Sequence, residues 1–137
     1  MYNLIKDLCN TNNWVFYYAR KDFSNLYDGD EQIGDETPIV FLDPIQITES
    51  FGEMNDLEST NYAGSLMIIL SSDIDEEDYD TRYQTYIKPV IESTVAKIKE
   101  SIQCDGELSI ETWRLTEVIN ALDFNGDGII INYSINE

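Results

Sequence analysis

The sequence predicts an α+β domain: a mainly antiparallel sheet of about five strands, one long helix packed across a face, and a short N-terminal helix. Three observations predict it. Several stretches alternate apolar and polar residues with a period of two, the signature of strands. One stretch, from Tyr83 to Ile102, instead carries the i, i+3, i+4, i+7 stripe of an amphipathic helix. The order along the chain is helix, three strands, helix, two strands, which suits helices laid on one face of a sheet. With 137 residues, of which 42% are hydrophobic and 12% aromatic, the chain suits a single domain able to bury a core without disulfides or metals.

Each element has its own justification. Met1, Leu4, Ile5 and Leu8 fall at helical spacing, so 2–10 reads as a short amphipathic helix, broken by Thr11-Asn12-Asn13. Trp14 to Ala19 is aromatic and β-branched, with Trp14, Phe16 and Tyr18 on one face, and reads as a strand. Asp22 to Thr37 is rich in Asp, Gly, Asn and Ser and reads as a long loop, of the length usually kept for function. Pro38 to Thr48 is the second strand, in which Pro44 favours an edge or a bulge because it donates no ladder hydrogen bond. A second long polar connection follows, Glu49 to Thr60 or Asn61, containing Phe51, Met54 and Leu57. Tyr62 to Ser71 is the third strand, and its unbroken Leu66-Met67-Ile68-Ile69-Leu70 predicts burial on both faces.

The acidic run Asp73 to Asp80 precedes the long helix, where negative charge suits the positive end of the helix dipole. Pro89 implies a kink, or a helix start near Lys88, and Gly106 ends the unit. Leu108 to Leu122 alternates as a strand and slips phase around Thr112 and Trp113, which marks a bulge. A turn at Asn125-Gly126-Asp127-Gly128 leads to the last strand, where Ile129, Ile131, Tyr133 and Ile135 share a face.

Charge bounds the function. Twenty-seven acidic residues against eight basic ones, and no histidine, give a formal net charge of -19. A disordered acidic tail would lack the aromatic residues seen here. Gripping nucleic acid requires clustered Lys and Arg, and the eight are scattered, so sequence-specific nucleic-acid binding is not expected; anionic membranes are disfavoured for the same reason. Cys9 and Cys104 lie in apolar-periodic segments and read as small buried hydrophobes in a reducing compartment. The N-terminal residues lack the basic and apolar regions of a signal peptide, so the expectation is a soluble protein made in a cytoplasm.

Asp123-Phe124-Asn125-Gly126-Asp127-Gly128-Ile129-Ile130 matches the first half of a calcium loop, D-x-N-x-D-G followed by an apolar eighth position. The second half departs from it: Ser134 stands where the bidentate Glu belongs, and the following residues alternate as a strand. Asp123, Asn125 and Asp127 are thus a weak calcium candidate beside the plainer reading as a Gly-rich turn, and no cofactor is expected. No histidine is present to act as a base, neither cysteine has an activating partner in sequence, and no nucleotide-binding or hydrolase motif occurs, so the chain is not expected to be an enzyme. The tyrosines and tryptophans suit core packing or subunit interfaces.

Pro38-Ile39-Val40-Phe41-Leu42-Asp43-Pro44, Tyr86-Ile87-Lys88-Pro89-Val90-Ile91, and Trp113 to Asp123 followed by Gly128 to Ile135 carry a resemblance in layout. The chain resembles the tail-terminator or tail-completion proteins of tailed bacteriophages, small α+β proteins that form rings at the neck. The resemblance implies a non-enzymatic virion protein of the neck/tail junction, a homo-oligomeric ring, hexameric in the family, bound to other neck and tail proteins. The two long loops, 22–37 and 49–61, would be ring-to-ring contacts, with Phe51, Met54, Leu57, Leu26 and Tyr27 as interface candidates. The acidic charge would then be a wall that DNA passes without sticking. Two other classes stay open from the residues: an acidic DNA mimic that inhibits a host DNA-binding protein, and a weak calcium-dependent binding module.

Overall fold

The structure, a computed structural model, describes residues 1–18, 36–73, 75–121 and 126–137. It is α+β, as the sequence predicts. Helix α1 (Tyr2–Asn12) leads to strand β1 (Val15–Tyr18), followed by β2 (Ile39–Leu42), β3 (Gln46–Phe51) and β4 (Leu57–Ser71). A helical stretch opens as α2 (Tyr79–Arg82) and closes as α3 (Ala96–Cys104), and β5 (Ser109–Ala121) and β6 (Gly126–Asn136) complete the chain.

The sheet has six strands in the order β1-β2-β4-β6-β5, with β3 also paired to β4. It is mixed, where the sequence predicts about five mainly antiparallel strands: β1 pairs with β2 in parallel, while the other four pairings are antiparallel. A parallel pair needs a crossover of about a dozen residues or more, and the 20 residues from 19 to 38 supply that length. The extra strand comes from two departures. The predicted strand 38–48 is split at Pro44 into β2 and β3, which lie end to end along one edge of β4, since β6 occupies its other edge. Asp43 holds the break: its N–H donates to Ser65 O at 3.1 Å and its carboxylate accepts from Ser65 Oγ.

The second departure is larger. Residues 49–61 are not a loop but the arms of a β3–β4 hairpin, with Glu49 opposite Thr60 and Phe51 opposite Leu57 across a register shift. Ser, Thr and Asn residues obscured the alternation, yet backbone pairing to a long neighbouring strand outweighs weak side-chain preference.

The sheet centre is buried on both faces, as the Leu66–Leu70 run predicts. Val40, Leu42, Leu66, Ile68, Leu70, Ile129, Ile131, Tyr133 and Ile135 face the helices and meet Ile5, Cys9, Ile87, Val90, Val95, Ile98 and Ile102. Ile39, Phe41, Met67 and Ile69 form a second cluster on the opposite face, joined by Val15, Tyr17, Val118 and Ile130. At about 1.5–3 kcal/mol for each fully buried Ile, Leu or Val, these two clusters dominate the favourable side of folding.

The long helix is not a uniform α-helix. It widens to π geometry over Tyr83–Ile87 and again over Val90–Val95, flanking Lys88 and Pro89, and Lys88 N–H reaches back five residues to Tyr83 O. Pro89 is the physical reason: its ring crowds the carbonyl four residues back and it donates no hydrogen bond, and wider turns relieve both problems without ending the helix. Gly106, at φ 86, follows the helix C-cap Asp105 in the left-handed conformation expected of a terminating glycine. Asn13, at φ 57, ends α1 in the same way.

Cysteine burial is half as predicted. Cys9 is buried against the sheet, and Cys104 is exposed. The buried face of α3 runs through Ile98 and Ile102, and two further residues rotate Cys104 about 200° off that face.

Candidate functional site

The β3–β4 hairpin is the most prominent surface feature. β6 reaches β4 only as far as Asn61, opposite Asn136, and Glu137 adds backbone hydrogen bonds at Thr60. Beyond that point, among the described residues, no third strand pairs with the two, and they continue as an arm. Gly52 N–H donates to Asp56 O at 2.8 Å and Asn55 N–H to Gly52 O at 2.9 Å, with Asn55 in the left-handed region at φ 61. This closes a tight turn over residues 52–56.

Three large apolar side chains are exposed on the arm: Met54 is 92% exposed, Phe51 55% and Leu57 54%. Phe51 and Leu57 are cross-strand partners and share a face; Ile47, also exposed, lies opposite Tyr62 nearer the root. The sequence singled out Phe51, Met54 and Leu57, and the structure brings them together at one tip. Glu49, Glu53, Asp56 and Glu58 surround them, and 46–60 contains no Lys or Arg. The other two interface candidates, Leu26 and Tyr27, lie outside the described residues.

A two-stranded hairpin alone is marginal in water, so the root of the arm matters. There a polar network crosses three strands. Asn61 Nδ2 donates to Ser134 Oγ at 2.9 Å, to Asn136 Oδ1 at 2.7 Å and to Glu111 Oε2 at 3.3 Å, and Ser134 Oγ donates to Glu111 at 3.1 Å. Glu111 is the extra residue at the β5 bulge, between Ile110 and Thr112, where the sequence phase slips. Tyr62 Oη donates to Glu137, whose carboxylate pushes the phenol above its ordinary range.

A second constellation escaped the sequence reading. Arg82 is fully buried and paired with buried Asp127, Nη1 to Oδ2 at 2.9 Å. Nη1 also meets Asp127 Oδ1 at 3.1 Å and Asn120 Oδ1 at 3.0 Å; Nε donates to Glu76 O at 2.6 Å and Nη2 to Asp73 O at 2.7 Å. Asn120, at φ 51, donates its own N–H to Asp127 Oδ1 at 2.9 Å. One guanidinium thus ties the acidic segment before the helix to the facing ends of β5 and β6. Removing such a charge from water is tolerable only with this degree of hydrogen bonding. The available sequence signal was Arg82's isolation: no other Lys or Arg occurs from 22 to 87.

The Asp-Gly-rich motif accordingly has a structural use. Residues 126–128 belong to β6 rather than to a turn; Asp127 points inward to Arg82, and Gly128 lies against β4, where a Cβ would fall 2.0 Å from Ile68 O. Asp123 and Asn125, the other two calcium candidates, lie outside the described residues. Among the described residues no three metal-ligating side chains converge.

The acidic run has a further role at the helix start. Asp78 caps α2, accepting from Thr81 N at 3.1 Å and Thr81 Oγ1 at 2.6 Å, and these bonds lower its pKa. Beside it lies an open cleft of about 470 Å³ lined by Glu36, Leu70, Thr85, Tyr86 and Pro89. A more polar one of about 370 Å³, lined by Ser71, Ser72, Asp73 and Tyr86, adjoins it. Asp73 N–H donates to Tyr86 Oη at 3.1 Å there. No described helix is long and apolar enough to cross a membrane. Compared with known proteins, the chain matches no family model and no curated protein.

Proposed function

We propose that this chain is a non-enzymatic structural protein of a phage virion, assembling as a homo-oligomeric ring at the neck/tail junction and contacting its neighbours through the β3–β4 arm. The observation that carries the reading is the arm itself: a rooted hairpin presenting Phe51, Met54 and Leu57 to solvent. Exposed apolar clusters with polar rims mark protein–protein contacts, and keeping three large side chains in water costs stability unless a partner covers them. The buried Arg82–Asp127 pair and the two-faced core suit a rigid building block, and the -19 charge suits a wall past which DNA moves.

The test is physical. Light scattering on the purified chain should give a mass several times 15.8 kDa, and negative-stain images of virions should show it in a ring at the neck. A monomer at every concentration, together with its absence from virions, would sink the reading.

A further inference from the structure

We propose that the arm docks head to tail on an aromatic, lysine-bearing patch formed by α1, β1 and α3 of a second copy of this chain. This deepens the ring reading and rests on it only for closure into a ring.

The two surfaces are complementary. The arm is an apolar knob ringed by four carboxylates, Glu49, Glu53, Asp56 and Glu58, with no cation of its own. The patch is its opposite. Tyr2 of α1 packs edge-on against Phe16 and Tyr18 of β1, with ring centroids 5.8 and 5.1 Å away. Lys6 Nζ lies 5.5 Å from the centre of the Tyr2 ring, and Lys97 Nζ lies 5.7 Å from that of Trp14 while donating to Asn12 Oδ1 at 2.9 Å. Tyr2 and Tyr18 are exposed aromatics, Lys6 and Lys97 are exposed, and neither lysine has an ion-pair partner among the described residues. Asp7 is the only acidic residue of α1, β1 has none, and α3 carries two lysines, Lys97 and Lys99, against one acid, Glu100. Aromatic rings with ammonium groups held over them suit a partner of apolar side chains and carboxylates.

Geometry makes the contact intermolecular. Tyr18 sits level with Leu42, which pairs with Leu66, nine residues along β4 from Leu57. At about 3.3 Å per residue the knob lies about 30 Å from the patch, so a chain cannot dock its own arm. An arm-to-arm contact would instead set four carboxylates against four others, a repulsive arrangement. A contact between two different surfaces is heterologous, and repeated it closes a ring or extends a filament.

Two variants test this by sedimentation velocity, with circular dichroism confirming the fold of each. The arm variant carries Phe51→Ser and Leu57→Ser; the patch variant carries Lys6→Glu and Lys97→Glu. Each alone should associate at least tenfold more weakly than wild type. Mixed, they should form a dimer and stop there, because each supplies one intact surface. Should the serine pair unfold the arm, Glu53→Lys with Glu58→Lys is the second arm variant, and it should recover association with the patch variant. A monomeric arm variant beside a patch variant that assembles like wild type would overturn the proposal in favour of an arm-to-arm contact, and two monomeric variants whose mixture also stays monomeric would overturn it outright. Variants that assemble like wild type would overturn it while leaving the ring reading standing, and a wild-type monomer would overturn both.

Discussion

Arg82 is the residue whose role departs most from its surroundings. In a chain of 27 acids, it is buried in an interior ion pair with the carboxylate of Asp127. Breaking a buried pair by removing one partner leaves the other charge uncompensated, at a cost of about 3–5 kcal/mol. Arg82→Leu should therefore lower the urea midpoint steeply, and Arg82→Leu with Asp127→Leu should recover part of the loss; a double variant as weak as the sum of the singles would contradict pairing. The thiols give a second residue-scale prediction. Burial pushes Cys9 up to about 12 from 9.0, while Cys104 is exposed. A disulfide reagent near pH 8 should titrate one thiol in the native protein and two after denaturation. The folded-state pKa lies above the unfolded one, so Cys9 contributes stability that is intact below pH 9 and is lost as pH rises from 9 towards 12. The burial of Cys9 was legible beforehand, and the settings of Arg82 and Cys104 were not: an Arg after an acidic run reads as solvated, and helical phase at the very end of α3 is easily misjudged.

At the scale of elements, the helix stripe, the αL ends at Asn13 and Gly106, the Pro44 break and the β5 bulge all follow from local chemistry that sequence displays. The β3–β4 arm does not, because it is held by pairing with distant β6 and by the Asn61–Glu111–Ser134–Asn136 network, whose members lie up to 75 residues apart. Gly128 makes the same point. It reads as a turn glycine, and is instead the place where β6 meets the β4 backbone, a Cβ falling 2.0 Å from Ile68 O. Gly128→Ala should destabilise the domain by about 3 kcal/mol by forcing β4 and β6 apart. A denaturation midpoint unchanged from wild type would show that the strands do not approach so closely. At the helix start, Asp78→Ala should lower the melting temperature and Asp78→Ser should restore it, since serine also caps.

For the whole molecule, the distribution of charge matters more than its total. No Lys or Arg lies between Lys21 and Arg82, and Arg82 is buried, so the arm lies in a stretch with no exposed cation. Among described residues the exposed cations are confined to the helices and β5: Lys6, Lys88, Lys97, Lys99 and Arg114. Self-repulsion at -19 should make the monomer's melting temperature rise as salt increases to about 0.15 M, where the screening length falls to about 8 Å. A melting temperature that falls with salt would mean that attractive pairs outweigh the net charge.

The sequence by itself determined the α+β class, the two helices, the twice-buried centre of β4 and the three apolar side chains of the arm. Each follows from periodicity or composition within one segment. Only the tertiary structure decided the parallel β1–β2 pair, the conversion of 49–61 from loop to hairpin, the burial of Arg82 with Asp127, and the separation of the acidic knob from the lysine-bearing patch. These depend on which distant segments become neighbours, and strand pairing and ion pairing across dozens of residues leave no periodic trace in the chain.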